Sequence, residues 1–185
     1  MAEARSAETE AALRDLEDRF LACWGGIAGL WGVSPTYGRI HGLLLLSPRP
    51  LDAETIRRRL GVSHGSCSTG LGTLVAWGVL RRVHPPGKRR ACYAAERDGW
   101  TWFRTCARER RRREIQPLLD ALHEVRGHAE AAAAEGRARR HPGHRDLAEA
   151  RDRVRSFVGF MDEFASLADA FLAGPDPTRG RRPRP

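Results

Sequence analysis

Nowhere do these 185 residues hold a run of about 18 apolar side chains, the length needed to cross a bilayer. Residues 1–19 are acidic and polar, and apolar character begins only at Phe20, so no secretory leader is expected. Cysteine is scarce. Cys23, Cys67, Cys92 and Cys106 lie far apart with no CxxC pair, which argues against a disulfide framework and suits a reduced, cytoplasmic setting. Lysine is nearly missing, since Lys88 is the one lysine among 32 basic residues. Forked phosphate recognition is one reason for such an arginine excess, and genome base composition is the other. Motifs of the GxSxG, P-loop, GxGxxG and HExxH types are absent, and paired carboxylates are few in the central segment, so no enzyme is expected.

What is present is positive charge in one place. The formal net charge is +9. Residues 1–35 carry 3 Arg against 6 acids, net −3, and residues 117–185 carry 12 Arg against 11 acids, net +1. Residues 36–116 carry 17 Arg or Lys against 6 acids, net +11. A surface of that sign points to an anionic partner.

The same segment has an ordered pattern. Residues 51–60 (LDAETIRRRL) read as a short helix with Asp52 at its N-cap and Ile56 and Leu60 inward. Gly61-Val62 is a turn, and Ser63 caps a second helix whose inner stripe is Cys67, Leu71 and Leu74. Gly65, Gly70 and Gly72 stand inside that helix, each costing about 1 kcal/mol relative to Ala. Residues 79–94 hold two strand-like runs around Pro85-Pro86-Gly87, with Lys88, Arg89 and Arg90 at the tip. Helix, turn, helix and basic hairpin in this order outline a winged helix-turn-helix, which places one helix in the DNA major groove and a hairpin beside it.

Helical stripes flank this head. Leu13, Leu16, Phe20, Trp24, Ile27 and Trp31 recur at helical spacing before it, and Gly25-Gly26 weakens or bends that helix. After it, Trp100, Phe103 and Ala107 open a long helix that Pro117 must kink or restart. Val154, Phe157, Val158, Met161, Phe164, Leu167, Ala168 and Phe171 form the stripe of a last helix. The fold expected is mainly α with a small β-wing: an N-terminal helix (1–33), the head (34–98), long C-terminal helices (99–174) and a disordered basic tail (175–185).

The chain resembles the MarR superfamily of winged-helix transcription regulators, and within it the GbsR-like branch. The likeness rests on WGVSPTYGRIHG at 31–42, the reading head at 51–78 with Gly61-Val62-Ser63 at its turn, Gly87-Lys88-Arg89-Arg90 followed by Tyr93 in the wing, and Arg112-Arg113-Glu114 with Pro117 after it. His64 departs from it, standing where a basic residue is more usual. The resemblance implies a homodimer paired through its terminal helices on a near-palindromic operator, acting as a sequence-specific regulator, a repressor by preference. A non-specific architectural nucleic-acid binder and a thiol-based redox sensor using Cys106 or Cys67 are the alternatives.

Double-stranded DNA is therefore the expected partner beside a second copy of the chain. Ser63, His64, Ser66, Ser68, Thr69 and Thr73 are candidates on the recognition helix, Lys88, Arg89 and Arg90 on the wing, and Arg57, Arg58 and Arg59 for phosphates. Trp24, Trp31, Tyr37, Trp100, Trp102 and Phe103 form either plain core or an effector pocket. The branch includes regulators responding to choline, and an aromatic cage suits a quaternary ammonium. His123, His128, His141 and His144 lack a matching ligand set, so neither metal nor cofactor is expected.

Overall fold

The computed structural model describes residues 2–87 and 90–174, with side chains from residue 7 onward. The wing residues Lys88 and Arg89 and the segment 175–185 lie outside the described residues. The chain divides into two compact units, Met1–Cys106 and Ala107–Pro185.

The first unit starts with helix α1 (Ala2–Leu30), followed by α2 (Pro35–Leu46). Ser34 precedes α2 and Pro35 takes its first position, where a missing N–H costs nothing. The two helices cross at glycines. A Cβ on Gly38 would stand 2.7 Å from the Ala28 Cβ and 3.0 Å from the Gly25 Cα, so the crossing needs hydrogen at that point. Gly25, expected from sequence to weaken α1, is instead where α2 lies against it.

A two-residue strand β1 (Leu51–Asp52) comes next, then α3 (Ala53–Leu60) and α4 (His64–Ala76). The expected helix over 51–60 is thus shortened, because Leu51 and Asp52 pair with Tyr93 and Cys92. Asp52 still caps α3, accepting the Thr55 backbone N–H at 2.9 Å. Gly61 closes α3 in the left-handed conformation at φ +63°. Ser63 caps α4 through the Ser66 N–H. Strands β2 (Leu80–Val83) and β3 (Cys92–Ala95) form the wing, and the sheet order is β1-β3-β2, antiparallel throughout. Gly87 at φ +77° helps turn the hairpin.

The core of this unit gathers Ile40, Leu43, Leu44, Ile56, Leu60, Cys67, Leu71, Leu74, Val79 and Leu80. Trp102 and Cys106 from α5 (Gly99–Arg110) pack against it. The α4 stripe read from the sequence, Cys67, Leu71 and Leu74, faces this core.

In the second unit a π turn (Arg111–Ile115) leads into α6 (Gln116–Ala138). Pro117 therefore does not break the helix. The wider turn before it accommodates the ring and the missing donor. Helix α7 (His144–Ala173) returns along α6. Its stripe divides into two faces. Val158, Ala165 and Leu172 are buried, whereas Phe157, Phe160, Phe164, Leu167 and Phe171 are more than half exposed. Arg111 forks onto Asp169 with both bonds at 3.1 Å, tying the start of the unit to α7.

The glycines of α4 separate by environment. A Cβ on Gly70 would lie 2.7 Å from Ile40 Cδ1 and 3.0 Å from Tyr37 Cδ1, whereas Gly72 has nothing within 4 Å. Gly70→Ala should destabilise the protein by roughly 1–3 kcal/mol through overpacking, and Gly72→Ala should stabilise it by about 1 kcal/mol through helix propensity. Urea unfolding of the two variants checks the opposite signs; equal effects would contradict this packing.

Candidate nucleic-acid interface

The outward side of α4 lies opposite its Cys67, Leu71 and Leu74 stripe. His64, Gly65, Ser66, Ser68, Thr69 and Gly72 are exposed there, and Thr73 is half-buried at the edge. The helical period puts Gly65, Ser68, Thr69 and Gly72 on one face. Ser63 and Ser66 are occupied with each other: the Ser63 Oγ accepts the Ser66 N–H at 3.1 Å and lies 3.0 Å from the Ser66 Oγ. That leaves His64, Ser68 and Thr69 as the exposed polar side chains of the first two turns outside the cap. The face is smooth, uncharged and built of small residues.

Cations stand beside it. Arg57 grips Glu54 with two hydrogen bonds, Nε to Oε2 at 2.9 Å and Nη2 to Oε1 at 2.7 Å. Arg58 is two-thirds exposed, and its Nε is 4.0 Å from Glu54. Arg59 pairs with Glu17 of α1. The three arginines of α3 therefore differ: one is clamped within its helix, one projects, and one ties the head to α1. Arg90 is exposed on the wing. The guanidinium of Arg57 hydrogen-bonded to Glu54, with Arg58 and Arg90 adding their charge, holds the Glu54 carboxyl below its usual range.

Between α3, the first half of α4 and the wing lies a cleft of about 370 Å³, whose lining includes Arg57, His64, Cys67, Ser68, Arg90 and Tyr93. The Cys67 Sγ points to the Ala53 carbonyl at 3.5 Å. Burial pushes its thiol up, which opposes thiolate formation.

The basic run after residue 107 is largely matched by acids. Arg110 meets Glu114, Arg112 and Arg113 meet Glu109, and Arg111 meets Asp169. Cys106 is half-buried in the first unit. His141 and His144 shape the turn before α7, the first accepting the Gly143 N–H and the second facing the His141 carbonyl.

The aromatic candidates fall into three groups and an outlier. Trp24 and Trp102 sit 5.2 Å apart, with His41 and Phe20 against Trp24. Tyr37 meets Trp77 edge-on, and Trp100 stacks on Phe103. Trp31 is 45% exposed.

His41, in the first group, is a residue the sequence reading passed over. It is 3% exposed, and the Trp24 indole donates to its Nδ1 at 3.1 Å. Its Nε2 must then carry the proton, and that atom is buried without a partner among the described residues. A polar residue between apolar neighbours on α2 gives no sign in the sequence of which way it faces.

Residues 31–91 match the model of the MarR family, whose members are DNA-binding transcription regulators and not enzymes. That span runs from the approach to α2 to the wing, and the winged helix-turn-helix expected from the sequence is the fold observed. A crystal structure of a transcriptional regulator aligns with 22% identity and a TM-score of 0.45, covering 83% of this chain and 97% of that one. No curated protein is a significant match. No helix among the described residues is long and apolar enough to cross a membrane.

Burial brings the His41 pKa down from 6.5 to about 4. The neutral ring is the folded form, so its stabilising contribution is complete above pH 6.5 and is lost as pH falls toward 4. Between pH 7 and pH 5 the native protein should lose about 2 kcal/mol more than His41→Phe. Urea midpoints at the two pH values measure this, and equal losses would show that the ring protonates without penalty.

Proposed function

We propose that this chain is a sequence-specific DNA-binding transcription regulator that works as a homodimer on a near-palindromic operator. The observation that carries the reading is the exposed, small-residue face of α4, flanked by Arg58 of α3 and Arg90 of the wing, within a span that matches the MarR family. Such a face fits closely into the major groove, where Ser68 and Thr69 reach base edges and phosphates. By their place in the sequence, Lys88 and Arg89 are the further wing candidates for the neighbouring minor groove, where narrow A·T tracts attract arginine. Repression is the expected sign of regulation, since a protein seated on an operator obstructs transcription from it. The GbsR-like segment at 31–42 supports placement in that branch, with a quaternary ammonium as the effector class and Trp24 and Trp102 as its nearest aromatic pair.

Exposed apolar surface supports the dimer. Phe157, Phe160, Phe164, Leu167 and Phe171 run along α7, and Leu13 and Leu16 along α1, all more than half exposed. Apolar stripes of this length mark association surfaces, and a two-fold pair matches one head to each half of a palindrome.

Selection of bound duplexes from a random pool tests both parts. The native chain should return an inverted repeat, preferred over unrelated sequence by at least roughly 10³-fold. The Phe160→Glu/Phe164→Glu variant, monomeric by light scattering, should return single half-sites with lower affinity. Equal affinity for all sequences would favour an architectural binder, and an inverted repeat from a monomeric native chain would remove the dimer.

A further inference from the structure

The cleft beside the recognition helix has an anion of its own. Three separate elements bring cations or a titratable ring to it: Arg57 from α3, His64 from α4 and Arg90 from the wing. Two carboxylates line the same space, Asp52 and Glu54. Asp52 is committed to the helix cap, accepting from the Thr55 N–H at 2.9 Å and the Thr55 hydroxyl at 3.1 Å. Glu54 has no backbone to cap. Both of its oxygens accept from Arg57, and Arg58 lies within 4.0 Å.

A guanidinium presents one planar fork, and carboxylate and phosphate fill it with the same two-bond geometry. The fork of Arg57 already holds a carboxylate in the free protein. A phosphate arriving in the cleft finds Arg90 exposed and Arg57 taken.

We propose that Glu54 stands in for a DNA phosphate: it occupies Arg57 in the free head and is displaced when a backbone phosphate enters the cleft between α3, α4 and the wing. This rests on the reading of the head as a DNA binder and adds a residue that sets its affinity. Arg57 then contributes less to binding than its position suggests, because each contact it gains with phosphate is offset by the one it gives up. A half-exposed surface ion pair is the right device for this. It is weak enough to yield to a phosphate, and its loss leaves no buried charge.

The test is fluorescence anisotropy with a short labelled random-sequence duplex across a salt series, for the native chain, Glu54→Gln, Arg57→Ala and the double variant. Glu54→Gln should bind up to about fivefold tighter at low salt, the worth of one exposed ion pair, and its salt slope should steepen by up to about one. Arg57→Ala should cost less in the native background than in Glu54→Gln, and the double variant should lose the gain, so the cycle is non-additive. Circular dichroism should show all four folded alike. An additive cycle, in which Glu54→Gln helps equally without Arg57, would reduce the residue to a general charge effect and overturn the proposal, as would an unchanged affinity. A native chain that binds no duplex would remove the DNA reading and this proposal together. A native chain that binds, with Glu54→Gln unchanged, would remove this proposal alone.

Discussion

At position 70 a hydrogen atom stands where any other residue would place a carbon, and the reading head is arranged around that contact. It lets α4 lie on Tyr37 and Ile40 of α2. With that face set, the Cys67, Leu71 and Leu74 stripe points into the core, and the opposite face, from His64 through Thr69 to Gly72, is directed outward. A second crossing of the same kind, Gly38 against Gly25 and Ala28, fixes α2 on α1. Backbone meets backbone at Gly38, and the side chains of Tyr37 and Ile40 meet the α4 backbone at Gly70, so the two contacts link the first helix to α4 through α2. At the rim, the ion pair between Arg59 and Glu17 ties α3 to α1, and the bond from Arg39 to the Leu60 carbonyl ties α2 to α3. These polar links are partly exposed, and their value lies in fixing orientation more than in raw stability.

The interface built on this frame divides its work between backbone-like and charged surface. The outward side of α4 offers small side chains and two open glycines, so the helix approaches DNA with little in the way. The cations Arg57 of α3 and Arg90 of the wing line the cleft beside it. On the proposed reading, a helix of this kind would leave much of the discrimination to groove shape, to whatever contacts the exposed Ser68 and Thr69 offer, and to the wing. Charge supplies the attraction and sets its salt dependence.

Much of this was legible in the residues. Ser63 and Asp52 announced their helix starts, Gly61 its helix end, and the order of helix, turn, helix and hairpin defined the head. The reasons for the glycines were not legible, because helix propensity treats Gly65, Gly70 and Gly72 alike and only a neighbouring helix distinguishes them. Strand β1 was hidden because two residues give no alternation, and its partners lie about 40 positions away. Pro117 read as the point of a kink or restart, and α6 does start beside it, but the π turn that precedes it has no sequence marker. The α7 stripe read as one surface because Phe157 and Val158 are adjacent in sequence and equally apolar, although one is exposed and the other is buried. At the site itself, the exposed hydroxyls and the arginines of α3 were visible as residue types. Which arginine was clamped by Glu54, and which reached Glu17, depended on side-chain directions that spacing does not determine.

Amide hydrogen exchange with and without a bound duplex tests the central claim most directly, since it asks which backbone meets DNA. Slowed exchange in residues 64–76 of α4 and in the hairpin strands at 80–95 is the predicted result. Protection confined to residues 107–173, with α4 unchanged, would contradict it and place the nucleic-acid surface elsewhere.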